Sequence, residues 1–349
     1  METILRQFVP FERLASARPF GNGHINDTYK IVVEAGGTQK AFLLQRFNDR
    51  VFGQPETVMD NISAVAHHLS VATDYPWLVL KPYRAKNGGW LFHDENGHYW
   101  RVFDFFENTR SFDVVSCENQ AFEAAKAYGA FARALANMDL SALHVTIPGF
   151  HDGEKRLADF KTTVAEAQTD PRRAKRLTEA KQEVAFLLSN QSVLKKEALP
   201  PLPLRATHHD TKLNNVLFDK KTIKAVAVVD LDTVMPGTVL SDFGDIVRTF
   251  TPTVTEDHKE VREVAVRPHI YRAVSEGFLS ELADVLTPQE RHSLPFAGPW
   301  LTLMQAVRFV TDYLLGDRYY KTKYPGHNLV RTQNQIALFQ SLQQSLHQP

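Results

Sequence analysis

The chain turns from mostly strand-like to mostly helical spacing near residue 106, and that change limits the folds open to it. Before it, apolar residues recur at every second position. Asp27 to Glu34 puts Tyr29, Ile31 and Val33 on one face, and Lys40 to Phe47 reads as a second strand after the turn signal Ala35, Gly36, Gly37. Between Pro55 and Leu69 the spacing is helical instead, through Val58, Ile62, Val65 and Leu69. A further hairpin is expected around Asp94 to Gly97, between GGWLFH and HYWRVFDFF. Beyond residue 106 helices take over. Glu118 to Met138 aligns Phe122, Ala125, Gly129, Ala132 and Leu135 in one stripe. Residues 153–197 are charged and helix-like, with a break at Asp170 and Pro171. The chain is helical again from Asp242, punctuated by Pro252, Pro288, Pro295, Pro299 and Pro325. The expectation is an α+β fold of two lobes: a small antiparallel β N-lobe over residues 1–106 and a larger, mainly helical C-lobe over residues 107–349.

Composition excludes partners without naming one. Forty Lys+Arg against 40 Asp+Glu give a formal net charge of zero, so no basic excess exists to neutralise a nucleic-acid backbone. The single cysteine, Cys117, rules out a disulfide framework or a Cys-based zinc site. The 14 histidines show no metal-ligand spacing. No apolar run reaches the roughly 18 residues of a membrane span, and the first twenty residues carry charges and a proline where a secretory leader needs an apolar run. A cytoplasmic protein with no membrane or nucleic-acid partner is expected, its oligomeric state open.

The densest polar string is THHDTKLNN, Thr207 to Asn215. It runs directly into VLF (216–218), a Lys-Lys turn and AVAVV (225–229), which together read as a buried hairpin. Such a string is costly to bury unless each group finds a partner. Asp230 closes the second apolar run, and Asp232 follows two residues on. A carboxylate at the end of a buried strand, facing an Asn and an Asp from the preceding loop, suits a hard cation with oxygen ligands. Phosphoryl transfer needs that set: an Asp to orient the acceptor hydroxyl, and an Asn with an Asp to hold Mg²⁺.

Here the sequence resembles a known family. HHDTKLNNVLFD (208–219), VVDLDTVMPG (228–237) and DFGD (242–245) are similar to the phosphotransferase superfamily of aminoglycoside and choline kinases, whose fold is like that of protein kinases. GNGHINDTY (21–29), WRVFDF (100–105) and GDRYYKTKYPGHNLVRTQ (316–333) resemble more closely the bacterial N-acetylhexosamine 1-kinases. The resemblance implies an ATP- and Mg²⁺-dependent transfer of the γ-phosphoryl group to the anomeric hydroxyl of N-acetylglucosamine or N-acetylgalactosamine. It implies Asp210 as catalytic base or hydroxyl-orienting residue, Asn215 and Asp230 as Mg²⁺ ligands, and Asp232 as a further candidate ligand. It gives His208 a bracing role. Asp242, although it spells a kinase metal motif with Phe243 and Gly244, is assigned to holding the catalytic loop and capping the helix that follows. Gly21, Gly23, His24 and Asn26 would form the nucleotide loop, and Phe103 and Phe105 would flank the adenine. Arg248, Arg308 and Tyr319 would face the acceptor beside Asp210. For Arg308 an ion pair with Asp312 is the structural alternative, and Arg331 reads as structural.

One departure from the family stands out. The strand that should carry a phosphate-binding lysine reads Leu43 to Phe47 without one. Gln45 or Arg46 must take the role, and the two point to opposite faces of a strand. Three other functions stay open: a same-fold kinase for choline, homoserine or an aminoglycoside, a catalytically impaired nucleotide-binding protein, and a plain interaction protein.

Overall fold

The computed structural model describes residues 1–21, 26–49, 52–71 and 74–346. The first part holds α1 (Glu2–Leu5), β1 (Arg13–Pro19), β2 (Asp27–Ala35), β3 (Thr38–Phe47), α2 (Pro55–Val71), β4 (Phe92–His93) and β5 (Tyr99–Asp104). Its strands form one antiparallel sheet in the order β1-β2-β3-β5-β4. Alternation along the strands sends successive side chains to opposite faces. Ile31, Val33, Phe42, Leu44, Trp100 and Val102 pack on the outer face against Leu5, Phe8 and Phe11. Phe47 and Phe103 join the main core on the inner face, with Met59 and Ile62 of α2.

The second part is mainly helical: β6 (Thr109–Arg110), α3 (Glu118–Ala134), α4 (Gly153–Thr169), α5 (Pro171–Glu179) and α6 (Lys181–Ser189) come first. Four short strands follow, β7 (Arg205–Thr207), β8 (Val216–Asp219), β9 (Ala225–Val228) and β10 (Met235–Gly237). Then come α7 (Val239–Phe250), α8 (Pro268–Leu282), α9 (Pro288–Leu315) and α10 (His327–Leu346). The fold is thus α+β, with the sheet gathered in the N-terminal part. Among the described residues no helix is long and apolar enough to cross a membrane.

Two expectations need correction. Pro295 and Pro299 do not punctuate the last region; both lie inside the single 28-residue helix α9. They are four residues apart, so the N–H that Pro299 lacks is the one that would have met the carbonyl of Pro295. The two prolines therefore share part of one defect, and packing of α9 on α4, α7 and α10 compensates it. Asp242 does not cap the helix that follows the polar string and its hairpin. That helix starts at Val239 with Thr238 at its N-cap, so Asp242 sits one turn inside.

Candidate functional site

Strands β8 and β9 pair antiparallel, Val216 opposite Val228 and Leu217 opposite Ala227. This pairing brings Asn215, at the mouth of one strand, to Asp230, just past the other. Two further bonds fix the ends: the Val229 N–H donates to the Asn215 carbonyl at 2.9 Å, and His208 Nε2 donates to the Val229 carbonyl at 3.1 Å. His208 Nδ1 accepts from the Asp210 N–H at 3.3 Å, so the proton belongs on Nε2 and the tautomer follows from the two bonds. His208 is fully buried, edge-on to Tyr128 and Phe131. It braces the loop from inside.

Asp242 braces it from below. Its carboxylate accepts the backbone N–H groups of His208 at 3.0 Å and His209 at 2.8 Å. Burial outweighs those donors and pushes its carboxyl up to about 7. These anchors hold two left-handed residues that are not glycine, His209 at φ 65° and Asp230 at φ 61°. Each such conformation costs of order 1 kcal/mol or more and persists only where surrounding bonds over-determine it.

Asp210 projects between these supports. Asn215 Nδ2 donates to its carbonyl at 2.9 Å and to its Oδ2 at 3.3 Å, and Lys212 Nζ pairs with its Oδ1 at 2.8 Å. Burial alone would push the Asp210 carboxyl up, yet the Lys212 ammonium outweighs it and holds the group below the usual carboxylate range. Asp230 behaves oppositely. Burial, then the neighbouring Asp232 and Asp210 carboxylates, push it up to about 7. The charges of Asp232 and Asp210 thus bear on Asp230, although among the described residues no three carboxylate or imidazole groups are placed to hold one metal ion together. Asn215 commits its NH₂ to Asp210, so oxygen is what it offers a cation. Asn215 Oδ1 and Asp230 fit Mg²⁺, which takes one or two protein carboxylates and completes its shell with water and phosphate.

A cavity of about 370 Å³ opens in front of these groups, within the range of small-molecule sites. Asp210, Lys212, Asn214, Asn215 and residues 229–233 form one wall. Gly21, Asn26, Thr28, Leu43, Gln45, Arg101, Phe103 and Phe105 belong to the opposite one. Phe20 meets Phe105 edge-on at 5.0 Å, closing the apolar end. Gly21 has φ +78°, a turn conformation that favours glycine. Gly23 and His24 lie outside the described residues.

The two candidates for the missing lysine separate as the strand alternation requires. Gln45 lines the cavity, whereas Arg46 is on the other face, half-exposed and paired with Asp27. Arg46 is not part of this cleft. Asp232 is fully engaged: Arg101 Nη1 reaches its Oδ1 at 2.7 Å, and Arg101 Nη2 and Asn26 Nδ2 reach its Oδ2 at 2.8 Å each.

The acceptor candidates fall into two groups. Arg248 is buried, bonded to Asp245 and Glu256 at 2.8–2.9 Å, and its charge contributes to lowering Asp210. It lines a smaller cavity of about 160 Å³ that shares Asp113, Lys212 and Asn214 with the main one. Arg308 stands apart, over the Phe150 ring at 4.7 Å and close to the rings of Tyr320 and Tyr319. Tyr319 itself is half-exposed. His151 links the groups: burial, His209 and both guanidinium charges keep its imidazole neutral. The alternative ion pair of Arg308 with Asp312 does not form. Arg308 donates to Gln305 Oε1, and Asp312 instead accepts the N–H groups of Arg318, Tyr319 and Tyr320 at 2.9–3.0 Å, shaping the loop that carries Tyr319. Arg331 is tied to Asp257 and Asn328.

Sequence reasoning passed over Arg101 and Lys212. A lone arginine between Trp100 and Val102 in an apolar strand was the available signal, since such a charge must be paired or used. Lys212 stood inside the polar string itself.

The chain matches the phosphotransferase enzyme family over residues 16–273. It belongs to that family. In shape this phosphotransferase is similar to the aminoglycoside phosphotransferase of Alicyclobacillus acidocaldarius, with a TM-score of 0.62 at 12% identity over 100% of this chain and 97% of that one. It is likewise similar to a spectinomycin phosphotransferase crystallised with ADP and spectinomycin, with TM-score 0.63, 12% identity and 98% coverage of both. Choline kinase from Cryptosporidium parvum gives 0.54 at 12%, over 95% of this chain and 90% of that one. At such identities the likeness is one of fold, the kinase-like fold of the family.

Proposed function

We propose that this phosphotransferase is an ATP- and Mg²⁺-dependent kinase acting on the anomeric hydroxyl of an N-acetylhexosamine. Residues 1–106 are then the nucleotide-binding lobe, and residues 107–349 carry the catalytic loop, the metal ligands and the acceptor residues. The observation that carries the reading is the meeting of Asp210, Asn215 and Asp230 on one wall of a cavity whose other wall bears Gly21, Phe103 and Phe105. Asp210, kept ionised beside Lys212, accepts the hydrogen bond of the sugar hydroxyl and aligns its oxygen on the γ-phosphorus. That oxygen forms the new P–O bond while the bond to the β-phosphate oxygen breaks, and the hydroxyl proton passes to Asp210. Asn215 and Asp230 would hold the Mg²⁺, which neutralises charge on the phosphates. Positioning and charge stabilisation carry most of such a reaction.

A neutral acceptor is favoured over choline or a polycation by the aromatic side chains near Arg308. Phe150, Tyr319 and Tyr320 would make a cage for a cationic substrate, but Arg308 already occupies that place with its own cation.

A phosphotransfer screen with Mg·ATP across free hexosamines, hexoses, choline, homoserine and aminoglycosides tests the proposal. The expected product is an N-acetylhexosamine 1-phosphate, recognised by phosphorus coupling to the anomeric proton. Asp210→Asn is expected to lower kcat by about 10²- to 10⁴-fold while ADP still binds. Transfer to choline, homoserine or an aminoglycoside instead of the sugars would overturn the substrate assignment. Nucleotide binding with no acceptor turned over would favour the catalytically impaired alternative.

A further inference from the structure

Five carboxylates, those of Asp104, Asp113, Asp210, Asp230 and Asp232, line the main cavity against two cations, Arg101 and Lys212, among the described residues. A nucleotide polyphosphate entering this cavity needs cationic hydrogen-bond donors. Lys212 is bound to Asp210, and Arg46 faces away. Arg101 is left.

Its setting is built in detail. Cross-strand register places Thr28 opposite Gln45, and Gln45 opposite Arg101, so the three form one row on the cavity face of the sheet. Gln45 acts as a relay: its Nε2 donates to Thr28 Oγ1 at 3.0 Å, and its Oε1 accepts from Arg101 Nε at 2.9 Å. The guanidinium lies by the rings of Phe47 at 4.9 Å and Phe103 at 5.1 Å. Its remaining two nitrogens grip Asp232 across the lobes at 2.7 and 2.8 Å. Arg101 is 1% exposed. A buried pair of this kind is often no more stabilising than apolar residues of equal volume, so its place on a cavity wall points to use of the charge.

We propose that Arg101 is the cation that holds the phosphates of the bound nucleotide, supplied from β5, one strand over from β3, and oriented through Gln45. Asp232 is its counter-charge when no phosphate is bound. The bidentate fork that fits a carboxylate also fits a phosphate, so the guanidinium shares or exchanges partners without leaving its aromatic seat. The inference rests on the nucleotide-kinase reading above.

The test uses the full chain in excess chelator, so that metal does not enter, and measures calorimetric affinities for ADP and adenosine. Arg101→Gln is expected to weaken ADP binding by about 10- to 100-fold and leave adenosine binding unchanged, with Arg101→Lys in between. Asp232→Asn frees the guanidinium and is expected to bind metal-free ADP at least as tightly as the wild type. A folded Arg101→Gln protein with wild-type affinity for ADP would sink the proposal. Should that variant not fold, Asp232→Asn decides, since loss of ADP affinity there runs against a phosphate-holding Arg101. A wild-type chain that binds neither adenosine nor ADP would overturn the kinase reading itself, a different result from an unaffected variant.

Discussion

His209 is the residue at which burial, backbone strain and tight packing coincide. It takes a left-handed φ of 65° directly before Asp210, and its Nδ1 donates to the Thr207 carbonyl at 3.0 Å. A Cβ added to Gly237 would lie 2.5 Å from its Nε2, so the ring has no room to move. Burial lowers its pKa to about 4, against about 6.5 for a free imidazole. As pH falls the unfolded chain takes up this proton first. The stability that a neutral His209 contributes is therefore fully present above about pH 6.5 and lost as pH approaches 4. Asp230 and Asp242, both raised to about 7, act with the opposite sign, losing their contribution as pH rises through the same window. Comparison with a variant separates the two. From pH 6.5 to 4.5 the His209→Gln variant is expected to lose less melting temperature, or gain more, than the wild type, and parallel curves would deny His209 this role. That Asp210, Asn215 and Asp230 would come together was legible in the sequence because one short motif and one hairpin carry them. Arg101 was not, because its partners Gln45 and Asp232 lie on other elements.

At the level of elements, most helices and strands declared themselves through periodicity, and the tightest contact was half visible. Gly129 lies on the apolar stripe read along α3, but nothing in its spacing shows that it faces the backbone of α8 while Gly277 of α8 faces the backbone of α3 two turns away. A Cβ on Gly129 would lie 2.6 Å from the Phe278 carbonyl oxygen, and one on Gly277 would lie 2.4 Å from that of Phe122. The obstacles are backbone atoms of packed helices, which cannot swing aside as a side chain can. Two effects compete in Gly277→Ala. Alanine gains about 1 kcal/mol of helix propensity, and overpacking costs about 1–3 kcal/mol. Overpacking is expected to win, so thermal unfolding should shift down with turnover per folded molecule unchanged. A raised melting temperature would mean that the helices can separate at little cost. The short strands β6, β7 and β10 were missed for a related reason: two or three residues carry no periodicity, and only their partners define them.

For the whole molecule, the change in texture near residue 106 exposed the β-rich and helical parts but not what joins them. The joints are single polar side chains reaching far along the sequence. Asn61 on α2 is the clearest. Its Nδ2 donates to the carbonyls of His144 and Val234, and its Oδ1 accepts the N–H of His144, each at 2.8 Å. From sequence it sits on an otherwise apolar helix with nothing to name its partners. In the fold it holds the α2 side of the cleft against the segment that follows Asp230 and Asp232. Truncating it leaves the buried Val234 carbonyl without a partner and opens the part-buried N–H and carbonyl of the exposed His144 to water, and a single unsatisfied buried group costs about 1–3 kcal/mol. Asn61→Ala is therefore expected to lose about 1–3 kcal/mol in urea unfolding. Asn61→Asp keeps the acceptor for His144 but turns carboxylate oxygen toward two carbonyls, and is expected to be no better. Because Val234 directly follows the cavity-lining Thr233, ADP affinity, on the proposed kinase reading, should fall in Asn61→Ala under conditions where the variant is still folded. An unfolding midpoint that does not move would mean that water takes over all three bonds. A lowered midpoint with full ADP affinity would confine Asn61 to stability and leave the cavity walls held by Asp232 with Arg101 and Asn26.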